Sequence, residues 1–551
     1  MTLASSAKEP STRTKWMLAG LSLAACAVVQ APAVTPMFAP DDFIVLEQVT
    51  GVHPVPLTLW RLLSGRVFFG LMFNVFGTMA RPYHVAVLLA HLVNVALIIL
   101  LFRRLQCGFG LGVVAATLFG GSALWSSILL QATGIGEVLA LTFSLGALLA
   151  LLNGRRTPNL LAVPLFVCAV LCKETVVVLP ALVLLTPHRE AWTVNQRRAT
   201  SALLLASLGL AGALAWQWGD VPSLHGEAYR LEIGSIPAGL AWYLARLFDL
   251  RDPSPDLALA PGSFGSGLLL LAAVTAVILL SRRREGMQPV TATGFVAAAL
   301  LLLPVLPLVH HRYVAYLYSP CAALAVAVVS LSASREDRSD ARPTRSRLRG
   351  ANAWTWAAMA AVLFVLVASS GTVSRRMTEA LPGYALPRDP LVRKMVVADA
   401  ALRPLLSNLP DTLSELVVFS PHETGQVMGV RSGSTARHAG GHALNLTTAV
   451  LDSGAAIRLY RPALRRVQWI AEWRPQFAAR PIALQDGLEL KYQGSGPSAH
   501  MAIARLFLRR GLPCLATEYL GAVQASADSN AVLREISLGA ARRCQEGSAS
   551  R

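Results

Sequence analysis

Charge is what this sequence has least of. Only 15% of its 551 residues are Asp, Glu, Lys or Arg, against about 25% in soluble globular chains. With 54% apolar residues and a mean hydropathy of +0.51, a soluble globular enzyme is excluded. The same apolar content excludes a disordered chain. Acidic residues are scarcer than basic ones, 31 against 49, for a net charge of +18. In a soluble protein that surplus would point to nucleic acid; in a membrane protein it reports orientation, and no nucleic-acid partner is expected. Cysteine is sparse too, seven in all, with no CxxC or His/Cys ligand spacing, so no structural zinc site is expected. Cys26, Cys107, Cys168, Cys172 and Cys321 lie in or beside apolar runs and read as small buried hydrophobes. The length exceeds the ~250–300 residues one core supports, which predicts two regions.

What is present is a series of long apolar runs. Those near 16–35, 84–102, 109–129, 134–152, 200–218, 264–281, 291–309, 313–333 and 353–372 approach or exceed the ~18–20 residues that cross a bilayer. The first is longer than a signal-peptide core and reads as an anchor. The stretch 158–187 is two apolar halves split by Lys173-Glu174. Read as a hairpin of two short helices with that pair at its tip, it gives about 11 spans and a cytoplasmic N-terminus. The inside segments then hold 19 basic residues and the outside loops before residue 373 only eight. A single crossing would invert everything downstream, so the positive-inside rule favours the hairpin. On that topology a loop near 36–83 and all residues after 373 lie outside. The outer segments 51–80 and 227–250 carry Trp, Phe and Leu with sparse Arg, a pattern suited to helices lying in the interface plane.

The fold class expected is therefore an all-α polytopic membrane module over 1–372, followed by a small extracytoplasmic α+β or α/β domain over 373–551. In that tail, ELVVF, AIRLY and LELKY read as strands between turn residues. From about 498 the chain reads as two or three helices, resembling one degenerate tetratricopeptide unit. Cys514 and Cys544 flank an expected helical hairpin there and suit a disulfide in an oxidising compartment.

Several polar groups could carry chemistry. Asp41-Asp42, just beyond the first span, suit a general base or a divalent-metal ligand; a polar loop cap is the plain alternative. Lys173-Glu174 amid apolar residues is costly and hence functional by default, Lys173 as a point charge for a lipid-linked phosphate and Glu174 as support. Arg312 suits bidentate phosphate binding, with His311 and Tyr313 beside it. His84, His91 and Asn94 share one helix face; His91 and Asn94 read as a stripe packing span to span, and His84 as closer to substrate. Asp252 and Asp256 read as turn formers. On the hairpin topology Asp41, Asp42, Lys173, Glu174 and Arg312 reach the same face of the membrane.

The run DDFIVLEQ…HPVPLTLWRLLSG…VFG…YHVAVLLAHLVNVALIILLFRRL resembles the start of membrane-embedded glycosyltransferases of the C superfamily. The nearest likeness is to the protein-mannosyltransferase and tetratricopeptide-repeat transmembrane mannosyltransferase branch. CKETVVVLP resembles that branch's Lys-Glu-Thr…Pro segment, and HHRYVAYLYSP its Arg-Tyr…Tyr…Pro segment, so the likeness covers about residues 36–335. The resemblance implies inverting transfer of a sugar from a polyprenyl-phosphate donor to an acceptor at the outer face. It implies an Asp of the first outer loop, Asp41 or Asp42, as catalytic base. Lipid phosphate is a good leaving group, so no cofactor is required, a divalent metal being the alternative. His311 stands where the family carries Glu or Asp. The Ala/Leu/Arg-rich composition fits a bacterial inner membrane. The rival class is a transporter or polysaccharide-export component, which should show paired Gly/Pro-broken segments with ionisable groups at the midplane; the polar groups here sit at one surface.

Overall fold

The computed structural model describes residues 11–52, 55–153, 156–184, 192–217, 230–248, 289–308, 312–331, 345–380, 387–419, 455–470, 477, 479–486, 489–509, 512–524 and 531–549. The chain divides into two compact units. One is Met1–Phe38 with Pro56–Asp389; the other is Ala39–Val55 with Pro390–Arg551.

The first unit is helical. Thr12–Ala33, Ala80–Arg104, Ala132–Leu152, Val194–Trp216 and Met359–Thr378 are each long and apolar enough to cross a membrane. A sixth span is formed if Phe109–Gly120 and Ala123–Leu129, bent by 45° at their junction, are counted as one. The bend falls at Gly120-Gly121-Ser122, where Ser122 Oγ caps the following turn by accepting from Leu124 N–H at 3.4 Å. Shorter apolar helices occupy Leu62–Phe76, Asn159–Cys172, Glu174–Leu184, Val290–Val305 and Val314–Ser330. Thus five or six full spans stand among the described residues, where the sequence predicts about eleven. The described part of the 158–187 stretch, to residue 184, is two short helices that break at Lys173, and the run 264–281 lies outside the described residues.

Polar ties cross between helices inside this unit, as apolar surroundings demand of any buried polar group. Ser22 and Thr117 share a hydroxyl hydrogen bond at 2.7 Å. The Gln30 side chain donates to the carbonyls of Gly120 and Ser122 at 3.3 and 2.8 Å. His91 and Asn94 converge on the Tyr318 hydroxyl at 2.6 and 3.2 Å. These two are the packing stripe that their spacing predicts. Gly120 sits where a Cβ would overlap Val95 and Cys26, so the helix Phe109–Gly120 approaches Thr12–Gln30 and Ala80–Arg104 closely only because that position has no side chain.

The second unit holds a four-stranded mixed sheet, order β2-β1-β3-β4. Its strands are β1 (Glu415–Phe419), β2 (Arg466–Ile470), β3 (Ile482–Asp486) and β4 (Glu489–Gly494). β1 runs parallel to β2 and β3, and β4 returns antiparallel to β3. Val417, Phe419, Ile482 and Leu484 pack against Ile503, Phe507 and Leu520 of the helices Pro497–Arg509 and Pro513–Gln524. ELVVF and most of LELKY are strands, but AIRLY belongs to the helix Ala455–Tyr460. A five-residue apolar run satisfies either period, and here packing decides: this helix lies against β2, against Pro390–Asn408 and against Pro40–Val49.

Candidate functional site

In the first unit three sequence-distant segments bring charges together. The helix Arg156–Cys172 stops where the Cys172 carbonyl accepts from Ser64 Oγ at 2.7 Å. Lys173 then turns extended, φ −155° and ψ 122°, before the 3-10 turn Glu174–Val178. That reversal sends the two neighbouring side chains to different partners. Lys173 Nζ lies 2.8 Å from Glu137 Oε1 and 4.9 Å from the ring centroid of Tyr316. Glu174 receives Arg61 at 3.1 Å from Nη2 and 3.5 Å from Nε. The two are therefore not a mutually satisfied pair.

Arg61 reaches Glu174 from a left-handed backbone, φ 51° and ψ 33°, a conformation that a non-glycine residue rarely adopts. Its turn opens the helical segment containing Ser64, so one short stretch supplies both the guanidinium on Glu174 and the hydroxyl on Cys172. Tyr243, fully buried, lies within electrostatic reach of both Arg312 and Glu137. The two ion pairs, Arg61 with Glu174 and Lys173 with Glu137, balance in charge. Arg312 Nε is buried without a hydrogen-bond partner. Tyr313 is half-exposed, its ring 6.4 Å from that of Tyr316.

The segments carrying Glu137, Glu174 and Tyr316 line an apolar cavity of about 130 Å³. Leu141 and Ser144 lie on the helix that begins at Ile135 and carries Glu137. Val176 and Leu179 follow Glu174. Ser319 follows Tyr316 by three residues, about one helical turn. The charged cluster and the apolar cavity thus share the segments carrying Glu137 and Glu174, with that of Tyr316 beside them.

In the second unit the helix Pro40–Val49 carries Asp41 and Asp42 in its first turn. Asp42 is fully buried and accepts from the Ala39 N–H at 2.9 Å, closing the helix start from one side, since Ala39 has no side-chain oxygen to complete a capping box. Asp41 is exposed. Five residues on, Glu47 is buried with its Oε1 lacking a hydrogen-bond partner. Burial pushes its carboxyl up to about 7, the Arg458 charge opposing in part.

His84 is fully buried. Its Nδ1 and Nε2 each lie 2.9 Å from a backbone carbonyl, Leu129 and Met37 respectively, so the ring ties the end of the first span to the bent helix pair. A neutral ring donates to one of those carbonyls at a time. His311 lies outside the described residues, as do His310, Asp252 and Asp256. Among the described residues no three His, Cys, Asp or Glu side chains gather as a metal-binding group.

Two members of the cluster escape the sequence reading, Glu137 and Arg61. Glu137 had a signal: it is the single carboxylate in an otherwise apolar span, which is functional by default. Arg61 had none, since its partner lies 113 residues away.

No protein-family model matches the chain, and no curated protein matches it in sequence. Among solved structures, ArnT from Cupriavidus metallidurans, crystallised with undecaprenyl phosphate bound, is similar over 90% of this chain and 95% of its own. The sequence identity is 15% and the TM-score 0.45.

Proposed function

We propose that this chain transfers a glycosyl group from a polyprenyl-phosphate-linked sugar to an acceptor at the outer face of a bacterial inner membrane. The observation that carries this reading is the construction of an ionic cluster holding Lys173 and of an apolar cavity from shared segments. An amphiphile with an anionic head and an apolar chain needs both. Lys173 contributes a compact charge and Arg312 a planar fork toward the phosphate.

The reaction is an inverting displacement. The acceptor hydroxyl loses its proton to an Asp carboxylate and its oxygen attacks the anomeric carbon. The bond from that carbon to the phosphate oxygen breaks, and the electron pair leaves on the lipid phosphate. Cations stabilise the charge that develops there. Of the two candidates for the base, Asp41 fits better, because an acceptor hydroxyl can reach its exposed side chain while Asp42 is fully buried.

Mass spectrometry of surface glycans and glycoproteins, in cells with and without the chain, tests this. A species losing one sugar without the chain, and regaining it with wild type but not with Asp41→Asn, is the expected result. Identical glycans in both strains would overturn it.

A further inference from the structure

Residues Ala39–Val55 belong by sequence between the first span and the rest of the membrane module, yet they form one compact unit with Pro390–Arg551. The seam is built from named side chains. The helix Pro40–Val49 packs on Ala455–Tyr460. Phe43 meets the Tyr460 ring at a centroid distance of 6.3 Å and an interplanar angle of 57°. Glu47, one helical turn beyond Phe43, feels the charge of Arg458, one residue pair before Tyr460. Tyr460 also lies within electrostatic reach of Asp399 and Arg403 on Pro390–Asn408, which packs on its helix. Leu46, between Phe43 and Glu47, is fully buried.

We propose that the C-terminal domain positions the helix bearing Asp41, with Tyr460 and Arg458 as the positioning residues. The proposal rests on the reading of Asp41 as the acceptor base and adds the element that aims it. A carboxylate on the first turn of a ten-residue helix cannot be held by that helix alone, because isolated helices of this length are marginal in water. Phe43 and Glu47, at i and i+4, present one face, and that face is spent on the domain. Asp41 lies two residues before Phe43, on a different part of the helix surface, and is exposed. The C-terminal domain therefore acts on the reaction through helix 40–49, touching neither donor nor acceptor in that role.

The test uses the full chain in lipid nanodiscs and in cells. Tyr460→Ala and Arg458→Ala should raise hydrogen exchange at amides 43–49 at least about tenfold, leaving β1 and the Ala80–Arg104 helix unchanged. They should lower the glycan product of the complementation assay by a similar factor at equal membrane abundance, while Tyr460→Phe restores both. Binding of a polyprenyl monophosphate to the Tyr460→Ala protein should stay within about twofold of wild type, separating this role from donor binding. Unchanged exchange at 43–49, equal loosening across the whole domain, or selective loosening with undiminished product would each overturn the proposal. If Asp41→Asn retains product while Tyr460→Ala loosens the helix and loses product, the base assignment fails and the positioning role stands.

Discussion

Lys173 and Glu174 are adjacent in the chain but belong to separate ion pairs, Lys173 with Glu137 at 2.8 Å and Glu174 with Arg61 at 3.1 Å. The extended backbone at Lys173 divides them. One dipeptide thereby stitches the segments around Arg61, Glu137 and Tyr316 into a single cluster.

The Lys173–Glu137 pair is the more enclosed, with both side chains at 10% exposure or less. Removing one partner of such a pair leaves an uncompensated charge and costs ~3–5 kcal/mol, whereas replacing both by apolar residues is far milder. Glu137→Leu and Lys173→Met should each lower the thermal midpoint of the detergent-solubilised protein, and the double variant should recover more than half of the loss. Strictly additive losses would mean that the pair contributes no coupling. Lys173→Met should in addition weaken polyprenyl monophosphate binding at least about tenfold in either background.

Asp41 and Asp42 should separate by stability. Asp42→Ala removes the acceptor for the Ala39 N–H and should cost about 1 kcal/mol, as loss of a helix N-terminal cap does. It should appear as faster exchange at the first turn of helix 40–49. Asp41→Asn should abolish glycan product with exchange unchanged. Activity lost in Asp42→Asn but kept in Asp41→Asn would reverse the assignment of the base.

Much of this was legible in the sequence, for identifiable reasons. Long apolar runs are local signals, so the spans at 80–104, 132–152 and 194–216 stand where hydropathy puts them. The break at Lys173-Glu174 was legible because two charges interrupt an apolar stretch. The partners of those charges were not, because Arg61 and Glu137 are remote in sequence and pairing is a tertiary fact. AIRLY was misread for the reason short runs often are: five residues satisfy two periods, and its neighbours choose. Least legible was the membership of helix 40–49, since nothing between Pro40 and Val49 announces that it will pack on residues four hundred positions away.

Glu47 predicts a pH dependence of the second unit. Its folded-state carboxyl is pushed up to about 7 from an ordinary 4.5. Between those values the folded unit keeps a proton that the unfolded chain has released, so stability falls as pH rises through the window and levels off above about 7. The loss is on the order of 1–3 kcal/mol. Exchange at amides 43–49, followed from pH 5 to pH 8 after correction for intrinsic rates, should accelerate in wild type and stay flat in Glu47→Gln. A flat wild-type profile would show that Glu47 ionises in the folded unit as freely as in water.

Cys514 and Cys544 are bonded, with their Cα atoms 4.8 Å apart, inside the 4.4–6.8 Å range a bridge requires. Cys514 lies in the first turn of Pro513–Gln524, and Cys544 lies in the later part of Ala531–Ala549, so the bond closes an antiparallel helix pair. That pair supplies Ala516, Leu520 and Ala540 to the core under the sheet. A separation of 30 residues contributes ~3–4 kcal/mol by the chain-entropy estimate. Cys514 is exposed, so reductant reaches the bond without prior unfolding. Cys514→Ser, or dithiothreitol on the wild type, should lower the thermal midpoint of the C-terminal domain by several degrees, and the two treatments together should do no more than either alone. The five remaining cysteines, Cys26, Cys107, Cys168, Cys172 and Cys321, lie in the first unit in or beside apolar helices. Native alkylation under non-reducing conditions should therefore label neither Cys514 nor Cys544, and labelling of both would show that the bridge does not form.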